Sequence, residues 1–293
     1  MAAVVCIHGI GKEQLGRQQM LAEWGPALGD GLERAASRPV AAPAFDLVYY
    51  ADLFLRKPSD GPARKSSGPD TDDIASWLTD PDDGTTQEEL IDALSDIVGA
   101  QDIAEAEAAP AKGYTRVPTP VQRVLRAVDR RYGPGAALLY VGAFRQVRRY
   151  LGDPSLKQEV DDCVDAAVPA DCRVLIGHSL GSVVAFEYVR RHGRRRLDLL
   201  LTMGSPLGLR MVRSRMPNPR YGAVHGLPVG ARSWVNILDP RDPVTGGRHL
   251  ADWWPKVDDR QVDNHADAHS VTRYLGKRET GTAVREALAA TAP

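Results

Sequence analysis

The stretch VLIGHSLGSVVAFEYV, Val174 to Val189, constrains this chain more than any other. A short apolar run of the kind that forms a buried strand covers Val174–Ile176, and a helical pattern follows over Ser182–Arg191. Between them stands Gly177-His178-Ser179-Leu180-Gly181. A turn from strand straight into helix brings two backbones too close for larger side chains, so glycines flank it. The serine then projects above the sheet on a strained turn. The spacing alone is weak, and a Ser-Gly turn without chemistry is the plain alternative. The strand before and the helix after make Ser179 a candidate nucleophile.

A serine hydroxyl needs a base, and the base needs an acid to orient it. On a strand-turn-helix of this type the chain order is serine, acid, histidine. The segment WVNILDPRDPV supplies Asp239 and Asp242 after a strand at Trp234–Leu238. Asp242 is preferred, because it lies past the strand end in a Pro-bounded loop. Asp239 is the alternative, closer to the strand and suited to capping the turn. Only His249, His265 and His269 follow Asp242. His249 follows too soon for an independent loop. His269, just before a short helical stretch with Val271, Tyr274 and Leu275, is the preferred base, and His265 is the alternative.

A tetrahedral intermediate also needs two backbone N–H donors. One is Leu180, directly after the serine; the other belongs on an early strand-end loop. VVCIHGIG is such a loop, with Ile10 the expected donor and Gly11 the alternative. His8 precedes the serine, the wrong order for a base, and is expected to shape that loop by hydrogen bonding.

Composition removes several other classes. The 293 residues carry a net charge of −1, which gives no global field for nucleic acid or an anionic membrane. The one basic cluster, Arg190 to Arg196, sits where a helix ends, a position that favours cations. Cys6, Cys163 and Cys172 lie in apolar patterns and read as reduced core thiols. The N-terminus lacks a basic signal region, and the longest apolar run, Gly135–Phe144, falls short of the roughly 18 residues a membrane span needs. A cytoplasmic protein with no integral membrane segment is expected. No metal-ligand cluster, Walker loop or dinucleotide fingerprint follows a strand, so no metal or other cofactor is implied.

Along the chain, Val4–Ile7 and Phe45–Tyr50 read as strands, with a helix between them that carries Met20, Trp24, Leu28 and Leu32 and that Pro26 should kink or restart. Residues 56–84 are rich in Pro, Gly, Ser and Asp and read as a loop. Helices are expected over 88–108, from Thr119, over 135–151 and over 154–168. Strand Leu197–Met203 and a last helix within 280–290 complete an alternation that predicts an α/β fold, a mostly parallel sheet with helices on both faces. The chain reads as one domain, with 56–118 a polar insertion and candidate cap.

IHGIG, GHSLGS, TMGSPLG, DPRDPV and HSVTRYL together resemble the α/β-hydrolase superfamily, over the first 50 residues and 170–293. The early His-Gly and the Gly-Ser-Pro after the next strand are similar to its lipase and esterase branch, including the inositol-deacylase-like lipases. The resemblance implies Ser179 as nucleophile, Asp242 as acid and His269 as base, with Ile10 and Leu180 forming an oxyanion hole. Ser205 lies in a loop expected to line the pocket and is a decoy nucleophile. Three functional classes remain: a serine hydrolase cleaving a small-molecule carboxylic ester of apolar or amphipathic acyl type, an acyltransferase or cyclising thioesterase using the same residues, and a non-catalytic interaction module. The complete set of residues in the right order argues against the third.

Overall fold

The computed structural model describes residues 3–9, 11, 15–55, 74–75, 78, 84–108, 114, 116–192, 197–216 and 230–290. Six strands are β1 (Val4–Ile7), β2 (Phe45–Val48), β3 (Val174–His178), β4 (Leu197–Met203), β5 (Ala231–Leu238) and β6 (Asp258–Gln261). They form one all-parallel sheet in the order β2-β1-β3-β4-β5-β6. Helices are α1 (Arg17–Ala36), α2 (Gln87–Ser95), α3 (Ala100–Ala108), α4 (Thr119–Tyr132), α5 (Ala136–Gly152) and α6 (Pro154–Ala167), then α7 (Leu180–Arg191), α8 (Arg210–Arg213), α9 (Val271–Leu275) and α10 (Arg278–Ala289).

A parallel sheet must be covered on both faces, which is why β1 is apolar throughout and β3 opens on the apolar run Val174–Ile176. Successive side chains point to opposite faces. Val5, Ile7, Leu175, Leu200 and Trp234 therefore share one core with α2 to α8. Val4, Cys6, Val174, Ile176, Leu199, Leu201, Val235 and Ile237 share the other with α1, α9 and α10.

The chain leaves β1 for β2 on one side, then returns to place β3 on the other side of β1. Strand order reverses between β1 and β3, and α1 and α7 accordingly lie on opposite faces. At such a reversal the loops at the carboxyl ends of the two strands diverge and leave a crevice, the usual ligand position in an open α/β sheet.

Several expectations need correction. Pro26 does not break α1, which runs through it; buried Met20, Trp24, Leu28 and Leu32 hold the halves on either side of it against the sheet. Residues 88–108 are two helices, not one, with Gly99 between them and its N–H donating to Asp102 Oδ2 at 2.8 Å. β2 ends at Val48, and Tyr50 turns away to stack on His8. β6, with the polar sequence DDRQ, has no apolar signature; among the described residues it is an edge strand that pairs with β5. The candidate cap, 56–118, begins with residues outside those described. Its helices α2 and α3 join the sheet's core through Leu90, Leu94 and Ala106, as does Ile97 between them. The end of α2 borders the loops after β4 and β5: Asp96 accepts from the Arg210 N–H at 2.6 Å, and its carbonyl from Arg248 at 2.7 Å.

None of the three cysteines is in a disulfide; Cys6 and Cys172 are buried and Cys163 half-buried. At the end of α7, Arg190 bonds Glu187, and Arg191 and His192 pair with Asp165. Among the described residues no helix is long and apolar enough to cross a membrane.

Candidate active site

Ser179 occupies the reversal point. It is the residue between β3 and α7, with φ 56° and ψ −128°. Positive φ in a non-glycine residue costs on the order of 1–3 kcal/mol and persists only where neighbours enforce it. The enforcement is visible. The Ser179 N–H donates to the Met203 carbonyl at 3.0 Å, and the Ser179 carbonyl accepts from the Ser182 N–H at 2.9 Å and the Ser182 hydroxyl at 2.6 Å. A Cβ on Gly181 would stand 2.2 Å from the Ile7 carbonyl oxygen, and one on Gly9 2.5 Å from Ser179 Cβ. The end of β1 thus packs directly on the turn, and only glycine fits at either place.

Asp242 lies in the loop after β5 and is fully buried. Its Oδ1 accepts from the Val244 N–H at 2.9 Å; its Oδ2 lies 2.7 Å from His269 Nδ1 and accepts from the Tyr274 hydroxyl at 2.9 Å. A carboxylate only accepts, so Nδ1 carries a proton and donates it, and in the neutral ring the lone pair is on Nε2. The His269 ring is itself held. His178, the residue before Ser179, donates from Nε2 to the His269 carbonyl at 3.0 Å, and the two rings lie 4.6 Å apart, tilted by 38°. Trp24 of α1 meets the His178 ring edge-on at 6.4 Å. The loop after β4 closes against the same pair: a Cβ on Gly204 would be 3.0 Å from Asp242 Oδ2 and 3.1 Å from His269 Nδ1.

Among the described residues, Ser179 Oγ and His269 Nε2 are both buried and neither has a hydrogen-bond partner. Buried polar atoms are otherwise almost always paired, and exceptions concentrate where a ligand or reaction completes them.

The alternative residues are engaged elsewhere. Asp239 braces two loops, its Oδ1 accepting from the Arg241 N–H at 2.8 Å and its Oδ2 from the Asn264 N–H at 2.5 Å. The side chain of His265 is 72% exposed and lies 3.5 Å from Asp263. His249 faces Gln261 and Asp259. The Ser205 hydroxyl is bonded to Ser182 at 2.7 Å and to the Leu207 N–H at 3.3 Å. His8 donates from Nδ1 to the Gly9 carbonyl at 2.8 Å and accepts the Tyr50 N–H on Nε2 at 3.2 Å. Both ring nitrogens of His8 are thereby committed to shaping the β1 loop.

Leu180 is the first residue of α7, where backbone N–H groups have no partner within the helix. Gly11, at φ 66°, lies on the opposing loop. Ile10 lies outside the described residues. Among the described residues, no three His, Cys, Asp or Glu side chains cluster as metal ligands.

Sequence reasoning passed over His178, Ser182 and Tyr274. Each reads as part of an apolar or helical pattern, and only the position of His178 beside Ser179 was a usable signal. No family model, curated protein or solved structure matches the chain.

Proposed function

We propose that this chain is a serine hydrolase of the α/β-hydrolase type, cleaving a carboxylic ester through an acyl-serine intermediate at Ser179. One observation carries the reading. A strained serine stands at the sheet's reversal point, a histidine whose Nδ1 is tied to a buried carboxylate is held there by His178, the residue before that serine, and Ser179 Oγ and His269 Nε2 are both buried without a partner. Parallel strand order and the Gly9 and Gly181 contacts at the turn support it.

The steps follow from the atoms. Ser179 Oγ attacks the ester carbonyl while His269 Nε2 takes its proton. Asp242 keeps the imidazole proton on Nδ1 and stabilises the imidazolium that forms. The oxyanion is received by the Leu180 N–H and, on the sequence reading, that of Ile10. Collapse breaks the ester C–O bond, and the departing alcohol takes the proton from Nε2. Water, deprotonated by the same Nε2, then attacks the acyl-serine; collapse breaks the bond to Oγ, which takes the proton back from Nε2 as the acid is freed.

A fluorophosphonate probe and a series of p-nitrophenyl esters of rising chain length test the reading. The wild type is labelled and turns over at least one ester. Ser179→Ala loses the label and on the order of 10⁴–10⁶ in kcat, with its fold intact. Retained labelling of Ser179→Ala would overturn the assignment of the nucleophile. Labelling of Ser179 without turnover of any ester would point to acyl transfer.

A further inference from the structure

The proposed acid does not act with His269 alone. Asp242 Oδ2 is shared by two donors, the His269 Nδ1–H and the Tyr274 hydroxyl. Tyr274 lies in α9, the helix that begins two residues after His269. Its phenol oxygen also accepts the Asp239 N–H at 2.9 Å. With the acceptor side occupied and one proton to give, the hydroxyl has a single direction: toward Asp242. Burial and then the Asp242 charge push the phenol well above its ordinary pKa, so it stays protonated and donating. The ring is fully buried in the core that α9 shares with α1 and α10.

The geometry points to Tyr274 as a positioning residue that holds Asp242 in the orientation His269 requires and sets how strongly that carboxylate pulls on the His269 proton. This rests on the hydrolase reading of Ser179, Asp242 and His269. Two consequences follow. A donor on Oδ2 withdraws part of the carboxylate's charge, so the imidazolium is stabilised less than by a carboxylate with His269 as its only side-chain partner. The same hydroxyl joins the carboxylate to the end of β5 through the Asp239 N–H, so α9 and the acid loop move as one. The other titratable groups facing this pair are His178 from β3 and Asp239 from the end of β5. On Oδ2 itself the Tyr274 hydroxyl competes directly with His269 Nδ1.

Tyr274→Phe keeps the ring and removes the oxygen. Its kcat should fall about tenfold with KM little changed, and the acid limb of its pH–rate profile should move up by about 0.5–1 pH. Replacing Tyr274 with 3-fluorotyrosine keeps the hydroxyl, makes it a stronger donor and should move the limb down while retaining activity. A ring that merely fills space gives no limb movement in either variant, and that result overturns the proposal. The His269 ring titration, followed by NMR in the Ser179→Ala background, needs no turnover. If it moves in opposite directions in the two variants while no ester is cleaved, Tyr274 acts on the pair and the hydrolase reading is at fault. If the ring titrates identically in all three proteins while the Ser179-bearing chain cleaves esters, the Tyr274 proposal fails and the hydrolase reading stands.

Discussion

Asp239 and Asp242 are three residues apart in one loop, both fully buried, and their carboxylates face different partners. Asp239 spends its oxygens on the Arg241 and Asn264 N–H groups, and Asp242 presents one to His269. Substitution should therefore separate two kinds of loss. Asp242→Asn would turn an amide toward Nδ1 and favour the wrong tautomer, a change that lowers kcat by about 10⁴ in the serine-protease precedent. Asp239→Asn should cost about 1.5–3 kcal/mol of stability and leave kcat/KM within a few-fold. Urea unfolding and ester kinetics on both variants check it; the reverse ranking in kcat/KM would make Asp239 the acid. The pairing of Asp242 with His269 was legible because chain order and loop position are local properties. The Tyr274 hydroxyl was not, since a tyrosine at helical spacing reads as core, and what its oxygen touches depends on how α9 docks on β5.

At the scale of elements, the turn from β3 into α7 carries the most information per residue. Two glycines and a serine encode it: a Cβ on Gly181 would meet the end of β1, and one on Gly177 would meet the first turn of α7 at Gly181 and Ser182. Gly181→Ala puts a methyl 2.2 Å from the Ile7 carbonyl oxygen, so β1 and α7 must separate. We expect it to destabilise the fold by at least about 1–3 kcal/mol and to abolish labelling of Ser179 by the fluorophosphonate. An alanine variant with wild-type urea midpoint and labelling rate would show that the approach is looser than described. Strands β1, β3 and β4 were legible because burial on both faces demands apolar runs, here VVCI, VLI and LLL. β6 was not, because as a short edge strand it is held by pairing with β5 and by its polar side chains: Asp259 accepts from Asn236 at 2.7 Å and from the Ala251 N–H at 2.8 Å. Gly99 was the available mark of the break between α2 and α3, and helical periodicity on either side concealed it.

For the whole molecule, alternation of strands and helices announced an α/β architecture, yet it could not order the strands. Local pattern fixes which residues lie in a strand, and neighbour choice is settled by where each crossover packs. The order β2-β1-β3 is what turns a serine in a tight turn into a serine at the mouth of a crevice, with the loops after β4, β5 and β6 converging on it. The central claim is that Ser179 is a nucleophile made reactive by neutral His269. Fluorophosphonate labelling rates across pH, for the wild type, His269→Ala and His265→Ala, test it without knowledge of the natural ester. Because protonated Nε2 cannot accept the serine proton, the wild-type rate should be low in acid, rise through a single ionisation and reach a plateau in mild base. His265→Ala should reproduce that curve, and His269→Ala should be labelled more slowly by several orders of magnitude, with no limb. A His269→Ala protein that is labelled at Ser179 at the wild-type rate, along the wild-type curve, would contradict the account.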